Sequence, residues 1–373
     1  MKFFYLMHKD IAIARINIKQ NEFNQSLLHV LDIFNQDWMP WGTRQASGNA
    51  LDEKITEWND SRCIPTGRPN YDDFLSENNI QNNAELVAKS FMCSLTDCYW
   101  FKPDDVVVSW QDVNFRDNGF ASNLYKRLFY NQDEPINNLN SPDLTTDGAL
   151  PKMWVERNGK FYLIKYNQLG DKYDACAEMV CSKLLNQMDI PCVDYTIEHI
   201  DNKICSVCEC FINTNEEEFV PMQAFKSETN FINNEDLMYF LRENGFALEI
   251  DSMIIADFCI GNTDRHLKNY GFIIDSNTGD IKRFAPLFDH GNADLFNQIG
   301  FLDYMPLEKS FDKSIQDISI QMSLPDKLAI DEILRNALYS QEELQQISDC
   351  INIRISNIGE HIIERDDIDE REL

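Results

Sequence analysis

The feature that most constrains the fold of this 373-residue chain is a pair of polar segments separated by a short, regular stretch. The first segment, 262–269, reads Asn-Thr-Asp-Arg-His-Leu-Lys-Asn, and the second, 288–291, reads Phe-Asp-His-Gly. The stretch between them has two apolar runs around the turn Asp-Ser-Asn-Thr-Gly-Asp, which predicts a β-hairpin. Because a hairpin brings its two ends together, we expect Asp289 to return beside Asn269.

The spacing Asp-x-x-x-x-Asn in the first segment, followed by a later aspartate, is typical of ATP-dependent phosphotransferases. Phosphoryl transfer needs one carboxylate to orient the acceptor hydroxyl, and an amide oxygen and a second carboxylate to bind Mg²⁺. We predict that Asp264 is the catalytic base and that Asn269 and Asp289 are the metal ligands. Lys268 would neutralise charge on the transferring phosphoryl group. The alternative is a polar turn that caps the preceding helix, since this spacing alone often arises by chance.

The residues upstream contain the other parts that ATP binding needs. Residues 145–152 form a turn-like segment, and a predicted hairpin around Asn158-Gly159 ends its second strand at Lys165. We expect Gly148 to cover the ATP phosphates, Lys165 to contact them, and Glu178, on the next predicted helix, to pair with Lys165. The plainer alternatives are a solvated lysine at a strand edge and a solvated glutamate on an amphipathic helix.

These motifs resemble the HipA-like serine/threonine protein kinase family over about residues 141–300. The family's catalytic-loop pattern Asn-x-Asp-x-His-x-Lys-Asn matches residues 262–269, and its second metal aspartate matches Asp289. Its cover loop is similar to residues 147–152, its strand lysine to Lys165, and its Glu-x-Phe segment to residues 209–211. The resemblance implies ATP and Mg²⁺ as cofactors, with nucleotide-binding residues Asp147, Gly148, Ala149, Lys152, Lys165, Glu178, Glu209, Cys210, Phe211 and His266.

The resemblance also has implications for regulation and partners. Some family members phosphorylate a serine of the cover loop, which ejects the loop and turns the kinase off. The corresponding residue here is Thr145, and Thr146 is adjacent. Because the family includes bacterial toxin kinases, the resemblance implies a protein substrate and an inhibitory, antitoxin-like partner.

Two other function classes stay open. The sequence pattern Asp-Arg-His-x-x-Asn of residues 264–269 also resembles the catalytic loop of phosphoinositide kinases. However, the chain has 33 lysines and arginines against 62 acidic residues, and its formal charge of −29 disfavours an anionic membrane surface and direct binding of nucleic acid. The second alternative is a nucleotide-binding pseudokinase that acts as a regulatory protein-binding module. The presence of Asp264 disfavours it, because a protein that only binds nucleotide could lose this residue without harm.

Composition indicates a cytoplasmic enzyme. The start of the chain lacks a signal-peptide pattern, and no apolar run reaches the roughly eighteen residues of a membrane span. Eleven cysteines, an odd number, favour reduced thiols over a disulfide framework. We interpret the cysteines at 205, 208 and 210 as buried thiols of a strand predicted over 203–212, because no second Cys or His pair has zinc-site spacing.

The predicted fold class is α+β, with a bilobal protein-kinase-like fold and an additional N-terminal α/β region. We expect an N-terminal accessory domain (1–138), a small β-rich lobe with the ATP-covering loop (139–220) and a helical large lobe (221–373), with a turn-rich boundary at 131–143. The catalytic loop would follow a helix at about 247–259, and further helices would follow residue 299.

The N-terminal region has the weakest patterns. We predict a strand at 11–18, a helix at 25–34, a helix at 84–94, and a core that includes Trp100, Trp110 and Phe115. Arg62 and Arg68 lie in a predicted loop. They would bind phosphate or acidic side chains, or else lie at the surface.

Overall fold

The structure is a computed structural model, and it describes residues 2–120, 124–130, 139–166, 173–229, 231, 233–297 and 323–369, without the side chains of residues 125, 127 and 359–369. Within these residues the strands are β1 (Phe3–His8), β2 (Ile11–Gln20), β3 (Ser26–Ile33), β4 (Tyr99–Pro103), β5 (Lys152–Arg157), β6 (Lys160–Tyr166), β7 (Tyr195–Ile200), β8 (Lys203–Glu209), β9 (Glu217–Pro221), β10 (Gly271–Asp275) and β11 (Ile281–Phe284). The α-helices are α1 (Gly48–Arg62), α2 (Tyr71–Glu77), α3 (Asn83–Leu86), α4 (Trp110–Val113), α5 (Phe115–Asn118), α6 (Leu124–Leu128), α7 (Tyr173–Gln187), α8 (Met222–Thr229), α9 (Asn234–Leu241), α10 (Ala247–Ile260), α11 (Lys327–Leu334) and α12 (Gln341–Asp369). Short 3-10 turns cover Gln36–Trp38 and Pro142–Thr145, and a π-turn covers Arg242–Phe246.

The chain is a mixed α/β protein with antiparallel strand pairs, and it forms two compact units. The first unit contains Met1–Gln168, Cys210–Asn230 and Phe272–Arg283, and the second contains Leu169–Glu209, Phe231–Gly271 and Phe284–Leu373. The three predicted domains stay a prediction, and most of the predicted boundary, residues 131–138, lies outside the described residues. No helix among the described residues combines the length and the apolar character that a membrane crossing requires.

An antiparallel sheet in the order β3-β2-β1-β4 forms the start of the first unit. Its buried side chains, with those of the helices beside it, form one core whose members include Leu6, Ile13, Ile16, Tyr71 and Phe101. The strand predicted at 11–18 is confirmed as β2. The predicted core residues are also buried, because Trp100 is 0% exposed, Trp110 is 7% and Phe115 is 4%.

Two helix predictions in this region are wrong. Residues 26–33 form β3, because Asn21 makes a turn that brings this segment back along β2. Its Oδ1 accepts hydrogen bonds from the Phe23 and Gln25 N–H groups at 2.9 Å, and Asn24 takes a left-handed φ of 59°. The apolar spacing of the segment fits both the helical period and the alternation of a strand, and the turn at Asn21 favours the strand. Of the helix predicted over 84–94, only the single turn α3 forms.

A buried polar cluster joins this sheet to a second sheet of the same unit, in the order β11-β10-β9. His8 Nε2 lies 2.6 Å from Glu218 Oε1, and the Cys98 N–H donates to the same oxygen at 2.8 Å. Because all three side chains are almost fully buried, these bonds satisfy the Glu218 carboxylate where water does not reach it. The cluster therefore fixes β9 against the start of β4.

The two hairpins predicted around the candidate site are confirmed. Strands β5 and β6 pair in antiparallel register, with Lys152 opposite Lys165, around a turn at Asn158 and Gly159, both of which have positive φ. Strands β10 and β11 flank the predicted turn. The predicted strand over 203–212 is shorter and ends at Glu209 as β8.

The second unit is mostly helical. Helix α7 packs against the β7–β8 hairpin and against α10 and α11, and α12 packs against α10 and α11. The residues of α10 from 253 to 260 are all buried, so this helix lies in the interior of the unit. The helix predicted at 247–259 is confirmed, and the predicted C-terminal helices form α11 and α12. Residues 298–322, where further helices were expected, lie outside the described residues.

Gly261→Ala tests how closely the chain approaches the end of α10. Gly261 has a φ of +68°, and a Cβ there would lie 2.5 Å from the Asp294 carbonyl oxygen and 2.6 Å from Arg354 Nη1. We expect a loss of about 3 kcal/mol in the free energy of unfolding, from left-handed strain plus overpacking. Gly245, in the same unit, has a φ of +91° and nothing within 4 Å of its Cβ position. Gly245→Ala should therefore lose only about 1–2 kcal/mol. Equal losses in chemical denaturation would contradict the close approach at Gly261.

Candidate functional site

The first polar segment begins where α10 ends. Gly261 takes the left-handed conformation that terminates the helix, and its N–H returns to the Phe258 carbonyl. Asn262 then folds the chain back: its N–H donates to the Asp257 carbonyl at 2.8 Å, and its Nδ2 donates to Asp257 Oδ1 at 3.0 Å. Its Oδ1 accepts the Asp264 N–H at 3.0 Å. Asn262 thus sets the position of Asp264 relative to the helix end.

A buried ion pair holds the rest of the segment. Arg265 binds Asp257 with Nε and Nη2 at 2.8–3.2 Å, and each residue is 1% exposed. The Arg265 Nη1 donates to the Asn269 carbonyl at 3.0 Å and to the Phe288 carbonyl at 2.6 Å. One guanidinium therefore joins α10, the end of the first polar segment and the residue before Asp289. Sequence reasoning missed both Asp257 and Arg265.

The second polar segment is fixed from several sides. Asp289 has a left-handed φ of 61°, and its N–H donates to Tyr195 Oη at 3.2 Å. The His290 N–H donates to Glu178 Oε2 at 3.3 Å. His290 Nδ1 lies 3.2 Å from Arg265 Nη2, and because a guanidinium only donates, Nδ1 is the acceptor and the proton of a neutral ring sits on Nε2.

Asp264 and Asn269 lie on one short loop. Asn269 is 5% exposed, and its Nδ2 donates to the Asp264 carbonyl at 3.3 Å, so its Oδ1 is the atom suited to a cation. Asp264 Oδ2 accepts a hydrogen bond from Asn292 Nδ2 at 2.8 Å. Sequence reasoning missed Asn292, because nothing in its local pattern distinguishes it from a turn residue. His266 is exposed, and its Nδ1 accepts the Lys268 N–H at 3.3 Å.

Glu178 and Lys165 were predicted to pair. Glu178 is 2% exposed on α7, and within its own unit its carboxylate accepts the His290 N–H. Lys165 is 4% exposed at the end of β6 in the other unit. Neither is therefore the solvated side chain of the plainer alternative, and their pairing stays a prediction.

The predicted cover loop lies in the first unit and is bound along its length. Thr145 is 7% exposed, and its hydroxyl donates to the Cys93 carbonyl at 2.7 Å. The Thr146 hydroxyl donates to the Pro142 carbonyl at 2.6 Å and accepts from Trp154 Nε1 at 2.8 Å. Both predicted phosphorylation sites therefore have their hydroxyl groups hydrogen-bonded to backbone carbonyls in this conformation of the loop.

The second half of the loop turns at Gly148, which has a φ of 102°. Lys152 Nζ donates to the Asp147 carbonyl at 2.7 Å, and the Gly148 N–H donates to Asp147 Oδ1 at 2.7 Å. Lys152, predicted to bind nucleotide, thus also supports the loop backbone. Ala149 is exposed at the tip.

Arg62 and Arg68 do not lie at the surface, although Thr66 and Gly67 between them are exposed. The predicted contact with an acidic side chain is confirmed for Arg62. Arg62 forms a bidentate ion pair with Asp97, with N–O distances of 2.7 and 2.8 Å. Its guanidinium lies 4.7 Å from the centre of the Trp58 ring. Arg68 is 4% exposed, and its Nε donates to the Gly148 carbonyl at 2.8 Å. Both guanidinium groups donate to acceptors within the first unit, a carboxylate for Arg62 and a backbone carbonyl for Arg68.

Residues 209–211, which were predicted to bind nucleotide, begin at the last residue of β8. The Cys210 N–H donates to the Phe161 carbonyl at 2.8 Å, so this N–H is already bonded within the first unit. Phe211 packs edge-on against Phe219, with ring centres 5.4 Å apart. The assignment of Glu209, Cys210 and Phe211 to nucleotide binding stays a prediction.

All eleven cysteines are free thiols, as predicted. Among the described residues, one group of metal-ligand type stands out. His8, Cys98 and Glu218 have ligand atoms within 4.8 Å of one another. Because the Glu218 oxygen already accepts two hydrogen bonds there, we interpret this group as the buried polar cluster described above. Its three members are far apart in the sequence, so no local motif predicts the cluster.

Comparison with known proteins places these observations in context. A family model described as the HipA-like C-terminal domain matches residues 144–339. The serine/threonine-protein kinase CtkA of Helicobacter pylori is 24% identical over 159 residues, which cover 36% of this chain and 47% of CtkA. The chain thus spans about half the length of this curated relative.

Two solved structures are also similar. The crystal structure of the Helicobacter pylori proinflammatory kinase CtkA has 18% identity and a TM-score of 0.46, and the match covers 58% of this chain and 95% of that one. A chain of the Shewanella oneidensis MR-1 toxin–antitoxin complex of HipA, HipB and operator DNA has 15% identity and a TM-score of 0.56, with 96% and 99% covered. The second likeness is one of fold over nearly the whole chain.

Replacing Arg265 by lysine tests the buried ion pair. Lysine keeps the charge but cannot bind Asp257 with two nitrogens while reaching two carbonyls. We expect a loss of about 3 kcal/mol in the free energy of unfolding. Arg283 is a matched control, because it also binds a carboxylate with two nitrogens, that of Glu217, but its side chain is 47% exposed. Arg283→Lys should cost less than about 1 kcal/mol. If both variants lose the same free energy in urea denaturation, the role given to Arg265 is wrong.

Asp143 gives the stability of the first unit a pH dependence. Burial raises the pKa of its carboxyl from 3.8 to about 6, although hydrogen bonds from the Trp154 N–H and the Ser141 hydroxyl act in the opposite direction. Because the folded-state pKa lies above the ordinary value, the folded chain binds this proton more tightly than the unfolded chain. The resulting stability increases as the pH falls from about 7 to about 4. Asp143→Asn cannot titrate, so its melting temperature should rise less than that of the wild type between about pH 7.5 and pH 5. An identical rise in both proteins would contradict this assignment.

Proposed function

We propose that this chain, which belongs to the HipA-like C-terminal domain family, is an ATP- and Mg²⁺-dependent serine/threonine protein kinase that transfers the γ-phosphate of ATP to a protein hydroxyl. The observation that carries the proposal is that Arg265 donates hydrogen bonds to a backbone carbonyl of each polar segment. It supports the idea that Asn269 and Asp289 act together, because the Asn269 and Phe288 carbonyls share one guanidinium nitrogen.

The proposed metal ligands are the Asn269 amide oxygen and the Asp289 carboxylate. Oxygen ligands of this kind suit Mg²⁺, and the Asn269 amide nitrogen is already bonded to the loop. A bound Mg²⁺ would neutralise charge on the ATP phosphates. Glu178 and Tyr195 support the Asp289 turn by accepting the N–H groups of His290 and Asp289.

Asp264 is the proposed base. Asn292 binds its Oδ2, which leaves Oδ1 to accept a hydrogen bond from the substrate hydroxyl and to take its proton as the phosphoryl group is transferred. Lys268 would stabilise the charge of that group. We assign nucleotide binding to the remaining predicted residues, with Gly148 and Lys165 at the phosphates.

Regulation through the cover loop is part of the proposal. Thr145 can accept a phosphate only after its hydroxyl leaves the Cys93 carbonyl, since it is buried in the present conformation. Phosphorylation there would therefore trap the loop in a released form. The naming of CtkA as a serine/threonine-protein kinase supports a protein substrate. The presence of HipB in the complex with HipA supports an inhibitory protein partner of antitoxin type.

The test is phosphate transfer by the purified chain with Mg²⁺ and ATP. We expect ADP release with a hydroxyl-peptide panel and a phosphate-sized gain in intact mass, mapped to Thr145 or Thr146. Asp264→Asn and Asp289→Asn should each lower the rate at least about 100-fold, because they remove the base and a metal ligand. Asp280→Asn is the control, since Asp280 is exposed in the turn of the intervening hairpin.

The other function classes predict different results. ATP binding in a thermal-shift assay without any ADP release would identify a regulatory pseudokinase. Transfer to phosphoinositide vesicles but not to peptides would identify a lipid kinase. Either result would contradict the proposal.

A further inference from the structure

Arg68 holds the cover loop from the interior of the first unit. Its Nε donates to the Gly148 carbonyl at 2.8 Å, and its Nη2 donates to the Thr146 carbonyl. The two carbonyls lie on either side of Asp147, so one rigid guanidinium fixes the peptide groups before and after the turn. Burial lowers the pKa of Arg68 to about 10, which leaves it charged at neutral pH.

Because Arg68 fixes the direction of two carbonyls, it also fixes the direction of the N–H groups that follow them. In a trans peptide the carbonyl of one residue and the N–H of the next point in opposite directions, and the described chain has no cis peptide bond. With the Thr146 and Gly148 carbonyls turned toward Arg68, the N–H groups of Asp147 and Ala149 point away from it. Backbone N–H groups that point to one side of a turn form the kind of concave site that binds phosphate oxygens.

Other residues of the N-terminal region hold the same loop. The Ile64 N–H donates to the Leu144 carbonyl at 3.2 Å, and the Cys93 carbonyl accepts the Thr145 hydroxyl. The loop therefore takes its shape from residues 64–93 as well as from the strand that follows it. This gives part of the N-terminal region a direct relation to the predicted nucleotide site.

We propose that Arg68 is a positioning residue for nucleotide binding, which keeps the cover loop in the form that presents the Asp147 and Ala149 N–H groups to the phosphates. This inference rests on the proposed function, since it assigns a role in binding ATP. Arg68 itself touches the loop backbone and not the nucleotide. Its loss should therefore weaken ATP binding far more than it slows transfer from bound ATP.

The experiment compares Arg68→Gln with Arg62→Gln. Arg62 belongs to the same segment, and its hydrogen bonds go to Asp97 and to the Met92 and Tyr99 carbonyls rather than to the cover loop. We expect Arg68→Gln to raise the KM and Kd for Mg²⁺-ATP about tenfold, the effect of one lost charged hydrogen bond, with kcat changed less than about twofold. Arg62→Gln should lower the melting temperature but change the Kd less than about twofold. Arg68→Lys should give an intermediate Kd, because one ammonium reaches a single carbonyl, and it carries the comparison if Arg68→Gln does not fold.

Hydrogen exchange of the ligand-free protein provides a readout that does not depend on ATP. Residues 144–149 should exchange faster in Arg68→Gln than in the wild type or in Arg62→Gln. An unchanged Kd in Arg68→Gln, or an equal increase in Arg62→Gln, would overturn the role of Arg68 alone. A wild-type chain that binds no ATP would overturn the proposed function and this role with it.

Discussion

The candidate site depends on the buried pair of Asp257 and Arg265. Arg265 has five N–H donors in a planar arrangement, and they bind one carboxylate, two backbone carbonyls and one imidazole nitrogen. Asp257 cancels the buried charge and fixes the guanidinium to the interior helix. Such a pair contributes modestly to net stability, because removing two charges from water is costly, but it allows few alternative arrangements. Its main contribution is therefore to define where the two polar segments lie.

The parts of this arrangement that are local in sequence could be predicted. The apolar run of α10, the turn after it and the β10–β11 hairpin follow from patterns within about thirty residues. The use of Asn269 and Asp289 as joint metal ligands stays a prediction. The structural role of Arg265 could not be predicted, because no pattern in the sequence shows that a charged residue is buried. Arg68 and Gly148 are 80 residues apart, and their contact needs a folded core between them. The error at β3 had a similar origin, since a single turn at Asn21 outweighed the periodicity of the segment that follows.

Arginines carry much of the loop geometry in a strongly acidic chain. Arg68, Arg265 and Arg354 are each at most 4% exposed, and each donates to carbonyls of an irregular segment. Irregular segments leave carbonyls without partners, and a planar guanidinium can satisfy two or three of them at once. Lysine has a single nitrogen and cannot do this with the same precision. With 33 basic residues against 62 acidic ones, the chain places some of its few cations inside rather than on its surface.

The position of Arg354 has a consequence for how the family domain should be delimited. This residue lies on α12 and donates to the carbonyls of Cys259, Asp294 and Asn297, which surround the start of the first polar segment. The family match ends at residue 339, before Arg354, and begins at residue 144, after Arg68. A fragment cut at those limits would keep every residue of the recognisable motifs and lose both arginines that hold their backbone. The stretch that the family model matches is thus shorter than the stretch that gives it a defined shape.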